Sequence, residues 1–128
     1  FHEEGRRRLW SSIRRIAKYS AEAMRAQAEV EIVEGLPVLV NDPELTDRMA
    51  EAAARVLGEE NIRWFEYPSP GSDDFACYLN HKPGFQFRIG TANEDPHSRL
   101  GLHNAENIFD ERAIYSAAAV MLQYILDR

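Results

Sequence analysis

The chain has 128 residues, a formal charge of −6, and 45% apolar and 28% charged side chains. That length makes one ordinary domain, or parts of two, and can bury roughly two-thirds of its surface. The acidic balance excludes a general nucleic-acid binder, which needs clustered positive charge to displace counterions. The composition is that of a soluble globular chain.

FHEEGRRR, at the start, does not read as a signal peptide. Residues 3–25 have a helical period, with Leu9, Ile13, Ile16, Ala17, Ser20, Ala21 and Met24 on one face. Glu3 and Glu4 precede Arg7 and Arg8 by one turn, the favourable order for exposed ion pairs, so the basic cluster reads as a solvated face. AEVEIVE, 28–34, alternates Val30 and Ile32 with glutamates and predicts a strand with one dry face. LPVLV, 36–40, continues extended.

NDPE opens a second helix. Asp42 or Asn41 can cap free amides, and Pro43 suits the first helical position, where no amide donor is needed. Leu45, Met49, Ala52, Ala53 and Val56 make its apolar face, and Gly58 is its expected stop. IRWFEY, 62–67, predicts a strand, PSPGS a loop, and 73–81 a short helix that Ser72 can cap. FQFRI, 85–89, predicts a further strand and 90–109 a long loop, a length that marks function or disorder. The last helix, 110–127, is expected to bury Ile114, Ala117, Ala118, Met121 and Ile125. The strands are too few and too scattered for one complete sheet and look like pieces of two.

AIYSAAAVMLQYIL is too short to span a bilayer, so no membrane role is expected and a cytoplasmic location is the default. Cys77 is the only cysteine and sits in the apolar run FACYL, which predicts a buried, inert thiol.

His103, in GLHNAENIFDE, is either a loop histidine without a task or a metal ligand. One imidazole does not hold zinc. His97, six residues earlier, is a second imidazole within reach of a chelate, but the chain has no His-Glu-x-x-His spacing. In GSDDF, Gly71 allows close approach, Ser72 offers a hydroxyl, and Asp73 and Asp74 stand at a helix start, where the free amides favour carboxylates. A capped helix and a pocket edge both explain this group. Adjacent carboxylates on a helix point about 100° apart, which argues against their sharing one substrate atom.

GSDDFACYL resembles the Gly-Ser-Glu-Asp-Phe-Ala-x-x-Leu of the zinc aminoacylase and carboxypeptidase-type metallopeptidases, the family of hippurate hydrolase and the N-acyl-L-amino acid amidohydrolases. PGFQFRIGT resembles that family's Pro-Gly, apolar strand and Gly-Thr. GLHNAENIFDE resembles its Leu-His-Asn run ending in Phe-Asp-Glu, and the resemblance extends over essentially all of the chain. Asp73 stands where the family more often has Glu, and Ala105, Asn107 and Ile108 depart from its pattern after His-Asn.

The resemblance implies an α/β fold, more narrowly an α+β fragment. Residues 1–35 would be the second half of a ferredoxin-like lid or dimerisation domain. Residues 36–128 would be the C-terminal part of a zinc-peptidase-like three-layer αβα catalytic domain. It makes His103 the last metal ligand of a two-metal centre, with Gly71, Ser72, Asp73, Asp74, Gly90 and Thr91 lining the substrate pocket. The reaction would be hydrolysis of the amide of an N-acyl amino acid or small peptide by a water activated by two divalent ions: zinc, or else manganese or cobalt. The other metal ligands and the general base would lie upstream, so the chain is expected to be a fragment or truncated product, inactive and without tightly bound metal on its own. Its expected partners are that N-terminal catalytic half and a second copy in a homodimer. The alternative is a non-catalytic dimerisation or binding module that keeps the scaffold and has lost the reaction.

Overall fold

A computed structural model describes residues 2–127. It contains four α-helices: α1 (Glu3–Ala23), α2 (Pro43–Leu57), α3 (Phe75–Leu79) and α4 (Arg112–Leu126). Short 3₁₀ turns stand at Glu59–Asn61 and Pro96–Arg99. The chain divides into two units, Phe1–Val40 with Glu66–Lys82, and Asn41–Phe65 with Pro83–Arg128.

The expected α/β architecture is not found. Among the described residues there is no strand, so neither a lid sheet nor an αβα catalytic layer is present. The alternation itself holds in part. Val30 and Ile32 are half-buried beside exposed Glu29 and Glu31, and Phe85, Phe87 and Ile89 are half-buried beside exposed Arg88. A dry face does not make a strand, because a strand needs a row of backbone bonds to a neighbour. Segment 85–89 meets a side chain instead. The Asn41 amide donates from Nδ2 to the Gln86 carbonyl at 2.8 Å and accepts from the Gln86 N–H at Oδ1 at 2.9 Å. The Asp42 N–H donates to the Gly84 carbonyl at 2.8 Å alongside.

In the second unit, α2 begins and ends where its residues dictate. The Asp42 carboxylate accepts from the Leu45 N–H at 3.0 Å, Pro43 takes the first helical position, and Gly58 closes the helix with φ +88°. Its core contacts are with α4: Met49 and Ala52 meet Val120 and Tyr124, with Ala53, Leu57, Phe85 and Phe87 packed around them. Phe85 stands edge-on to Tyr124 at 5.2 Å, and the Arg48 guanidinium lies 5.6 Å from the same ring. Arg55 pairs with Asp127 at 2.6 Å beyond the end of α4.

Helix α4 docks mainly by a stripe other than the one expected, sharing only Ala117 with it. Val120 and Tyr124 are buried and Ala113 and Ala117 half-buried, whereas Ile114, Met121 and Ile125 are 69%, 49% and 57% exposed, and Ala118 is exposed. The helix is apolar on two adjacent stripes, so a helical period alone does not choose between them.

In the first unit, α1 buries no residue. Arg6 and Trp10 form its half-buried line together with Ala17 and Ala21 of the expected face, while the rest of that face, Leu9, Ile13, Ile16, Ser20 and Met24, stands exposed. Arg6 sets this choice. Its guanidinium donates to the Leu36 carbonyl at 2.7 Å and to Glu34 at 2.9 Å, and lies 5.0 Å from the Trp10 ring, drawing segment 34–36 onto that side. The predicted pairs Glu3–Arg7 and Glu4–Arg8 form at 3.5 and 2.6 Å.

The chain exposes 10787 Å². A compact monomer of its mass exposes about 6,900 Å², and two separate compact units of half that mass about 8,400 Å² together. The surplus is therefore a property of the units themselves, and both leave large apolar side chains exposed, Leu9 and Ile13 in the first and Ile114 and Ile125 in the second among them.

Candidate functional site

The predicted site residues fall in both units. Gly71, Ser72, Asp73 and Asp74 belong to the first, and Gly90, Thr91 and His103 to the second.

In the first unit the carboxylate of Asp73, not the hydroxyl of Ser72, organises the start of α3. It accepts the Phe75 N–H at 2.9 Å. Asp73 is half-buried, and Gly71, Ser72 and Asp74 are exposed. Gly71 donates its N–H to the Ser69 hydroxyl at 3.2 Å, tightening the PSPGS turn. On α3, Ala76 is buried and Cys77 is exposed, so the expectation of a buried thiol is corrected. One helical step turns a side chain through about 100°, and Ala76 takes the inward position. A cleft of about 460 Å³ beside the start of α1, lined in part by Arg6, Glu34, Val38, Val40 and Asn80, contains none of the predicted site residues. Its principal cation, Arg6, is already matched by Glu3 and Glu34.

In the second unit, segment 90–110 is folded by its own polar side chains. Gly90 is exposed and Thr91 half-buried. The Thr91 carbonyl accepts the Asp110 N–H at 2.9 Å, which brings the two ends of the long loop together. Asn93, Asp95 and Ser98 knot its first half. Ser98 Oγ, on a buried residue, accepts the Asn93 N–H at 2.9 Å and donates to the Asp95 carbonyl at 2.6 Å. Asp95 accepts both the His97 N–H at 2.9 Å and the His97 ring Nδ1 at 2.8 Å. These bonds from His97 hold the Asp95 carboxyl below its ordinary value. His97 is thus committed to a carboxylate neighbour.

His103 sits exposed in the second half of the loop, in a turn closed by Asn104 N–H to the Gly101 carbonyl at 2.9 Å and Asn107 N–H to the Asn104 carbonyl at 3.1 Å. Among the described residues no three His, Cys, Asp or Glu side chains gather as a metal-binding group. The donor set of this chain does not by itself fit a metal ion, which needs several ligands.

Asp110 is a tightly paired carboxylate at the return of the loop, and sequence reading missed it. Arg112 grips its carboxylate from Nε at 2.9 and 3.0 Å and from Nη2 at 2.5 Å, and the Arg112 N–H adds a bond at 2.9 Å. These bonds hold the Asp110 carboxyl down at about 2, and Asp110 in turn raises the Arg112 guanidinium above its ordinary value. The Asp-x-Arg spacing, with the carboxylate just before a helix, was the available signal.

Residues 5–127 match the family described as peptidase family M20/M25/M40. A probable hydrolase of Synechocystis is 32% identical over 94% of this chain and 30% of its own length. The N-acetylcysteine deacetylase of Bacillus subtilis is 33% identical over 92% of this chain and 29% of its own. The hippurate hydrolase of Campylobacter jejuni is 25% identical over 91% of this chain and 29% of its own. The chain therefore spans about 30% of the length of these curated relatives. No solved structure matches it. No described helix is long and apolar enough to cross a membrane.

Proposed function

The chain belongs to peptidase family M20/M25/M40, and on that premise we propose that it is part of a metal-dependent amidohydrolase that cleaves the amide bond of N-acyl amino acids or small peptides. The observation that carries this reading is the match over residues 5–127. Two relatives support the substrate class by their names, one a deacetylase of N-acetylcysteine and one a hydrolase of hippurate, both N-acyl amino acids.

In this reading His103 offers one imidazole nitrogen to a centre whose other ligands and general base come from polypeptide beyond these 128 residues. Its exposed turn leaves the ring accessible to such a partner surface. Gly71, Ser72, Asp73, Asp74, Gly90 and Thr91 contact the substrate. Two divalent ions, zinc or else manganese or cobalt, would supply the complete centre with a water of lowered pKa. The exposed large apolar side chains support burial against further polypeptide or a second copy of the chain.

The test is a chimera. Residues 5–127 replace the matching stretch of the Bacillus subtilis N-acetylcysteine deacetylase, and hydrolysis of N-acetyl amino acids is measured together with metal content. The chimera is expected to hydrolyse them, and His103→Ala to lower both the rate, by about a hundredfold or more, and the metal retained. Full activity and full metal content in the His103→Ala chimera would refute the assignment.

A further inference from the structure

Helix α1 turns most of its apolar face away from its own unit. Leu9, Ile13 and Ile16 are 65%, 50% and 56% exposed, and Met24, at the end of the helix, is 80% exposed. The exposed stripe of α4 has a different setting. Between Ala113 and Leu126 that helix carries no charged residue, so polypeptide can cover it without stranding a charge. On α1 the stripe runs among arginines. Residues 3–25 hold seven arginines and lysines against three glutamates, a net +4 in a chain of −6. The glutamates do not serve all of these cations. Glu3 is taken by Arg6 and Arg7, Glu4 by Arg8, and Glu22 lies 3.9 Å from Lys18. Arg14 and Arg15 are exposed and have no carboxylate partner among the described residues. Arg14 follows Ile13 and Arg15 precedes Ile16, and one helical step turns a side chain through about 100°, so the two border the stripe from opposite sides.

We propose that this face of α1 is a docking surface for an anionic phospholipid bilayer, on which the helix lies without crossing it. Leu9, Ile13, Ile16 and Met24 enter the boundary between headgroups and acyl chains, about 5–10 Å deep. The long arms of Arg14 and Arg15 reach outward from there to the lipid phosphates. A nucleic acid would match the arginines and leave the apolar side chains in water. A purely apolar partner would cover those side chains and strand the arginines. An anionic bilayer offers both chemistries side by side, and as a plane it can meet one side of a helix over all 21 residues of α1, about 31 Å. The inference stands on α1 alone and is independent of the reading of His103.

The test is cosedimentation of the 128-residue chain with large unilamellar vesicles, made of phosphatidylcholine alone or with about 30% phosphatidylglycerol. Chain that sediments without vesicles is subtracted. At about 0.1 M salt, partition is expected to be about tenfold or more stronger onto the anionic vesicles. It should fall toward the neutral value at about 1 M salt, where the screening length drops from about 10 to about 3 Å. Arg14→Gln and Arg15→Gln each weaken it about fivefold, and Ile13→Ser combined with Ile16→Ser about tenfold or more. These side chains are exposed, so circular dichroism without vesicles should match the parent. Ile114→Ser, on the uncharged stripe of α4, leaves partition unchanged. Absence of partition, equal partition onto neutral and anionic vesicles, or a loss in Ile114→Ser as large as in the Ile13 and Ile16 variant would each overturn the proposal. Binding to poly-glutamate without partition onto vesicles would also overturn it and assign the face to an acidic polypeptide.

Discussion

Val120→Ala and Met121→Ala are neighbouring truncations on α4 that the structure separates sharply. Val120 is 0% exposed and packs with Met49, Ala52 and Tyr124, whereas Met121 is 49% exposed on the adjacent stripe. Removing two methyl groups from Val120 forfeits about 1.6 kcal/mol of transfer free energy at about 0.8 kcal/mol per group. The cavity left between α2 and α4 brings the loss to about 2 kcal/mol. Met121→Ala, on a half-open face, is expected within about 0.5 kcal/mol of the parent. Urea unfolding of the isolated chain, followed by far-UV circular dichroism, gives both values, and the melting temperature of Val120→Ala should fall by about 8–15 °C. Because the α2–α4 cluster has only four buried side chains, a loss of this size is a large share of what holds the unit together. A neutral Val120→Ala with a costly Met121→Ala would refute the docking face. It would mean that α4 turns its other stripe to the core in solution.

Asp110 sets a pH dependence of definite sign. Its folded value, about 2, lies below the ordinary 3.8, so its contribution is fully present above about pH 4 and is lost as pH falls through about 2. Carboxyl ¹³C titration should place its midpoint near 2, and a midpoint near 4 would contradict the Arg112 grip. Asp42→Ala removes the acceptor for the Leu45 N–H and should cost about 1 kcal/mol, with Asp42→Ser recovering most of it, both read by urea unfolding. Gly58→Ala forces a side chain into φ +88° and against the Glu60 carboxylate, and should lower stability by about 1 kcal/mol or more in the same assay. The exposed stripe Ile114, Met121 and Ile125 predicts self-association at micromolar concentration, and sedimentation equilibrium should find a dimer that Met121→Lys dissociates. A monomeric parent chain would show that this stripe does not recruit a second copy.

The ends of α2 were legible because each rests on a local rule: a carboxylate that reaches an amide, a proline that needs no donor, a glycine that accepts a positive φ. The docking face of α4 was not legible, because Ala113, Ala117, Val120 and Tyr124 follow the same period as Ile114, Ala118, Met121 and Ile125. Choosing between them requires knowing where Met49 and Ala52 lie. The extended segments were readable in their alternation but not in their pairing, which depends on a neighbour's backbone rather than on the segment. At the candidate site, composition and spacing left His103 undecided, and its proposed role came from resemblance to a family. Asp110 went unnoticed because its backbone contact with Thr91, distant in sequence, forms only once the loop has folded.

The Asn41 side chain meets Gln86 as one peptide group meets another, offering a donor and an acceptor to matching atoms on a single residue. That fit depends on the identity of one atom. Hydrolysis of the amide to a carboxylate, the slow chemical ageing to which asparagine is subject, would keep the size and shape of the side chain and exchange Nδ2 for oxygen. Two oxygens would then face each other across 2.8 Å, and the clasp between the entrance to α2 and segment 85–89 would become a repulsion. A change of one mass unit at Asn41 would thus weaken the hold of a helix entrance on segment 85–89, leaving the Gln86 N–H to Oδ1 and Asp42 N–H to Gly84 carbonyl bonds to keep them together.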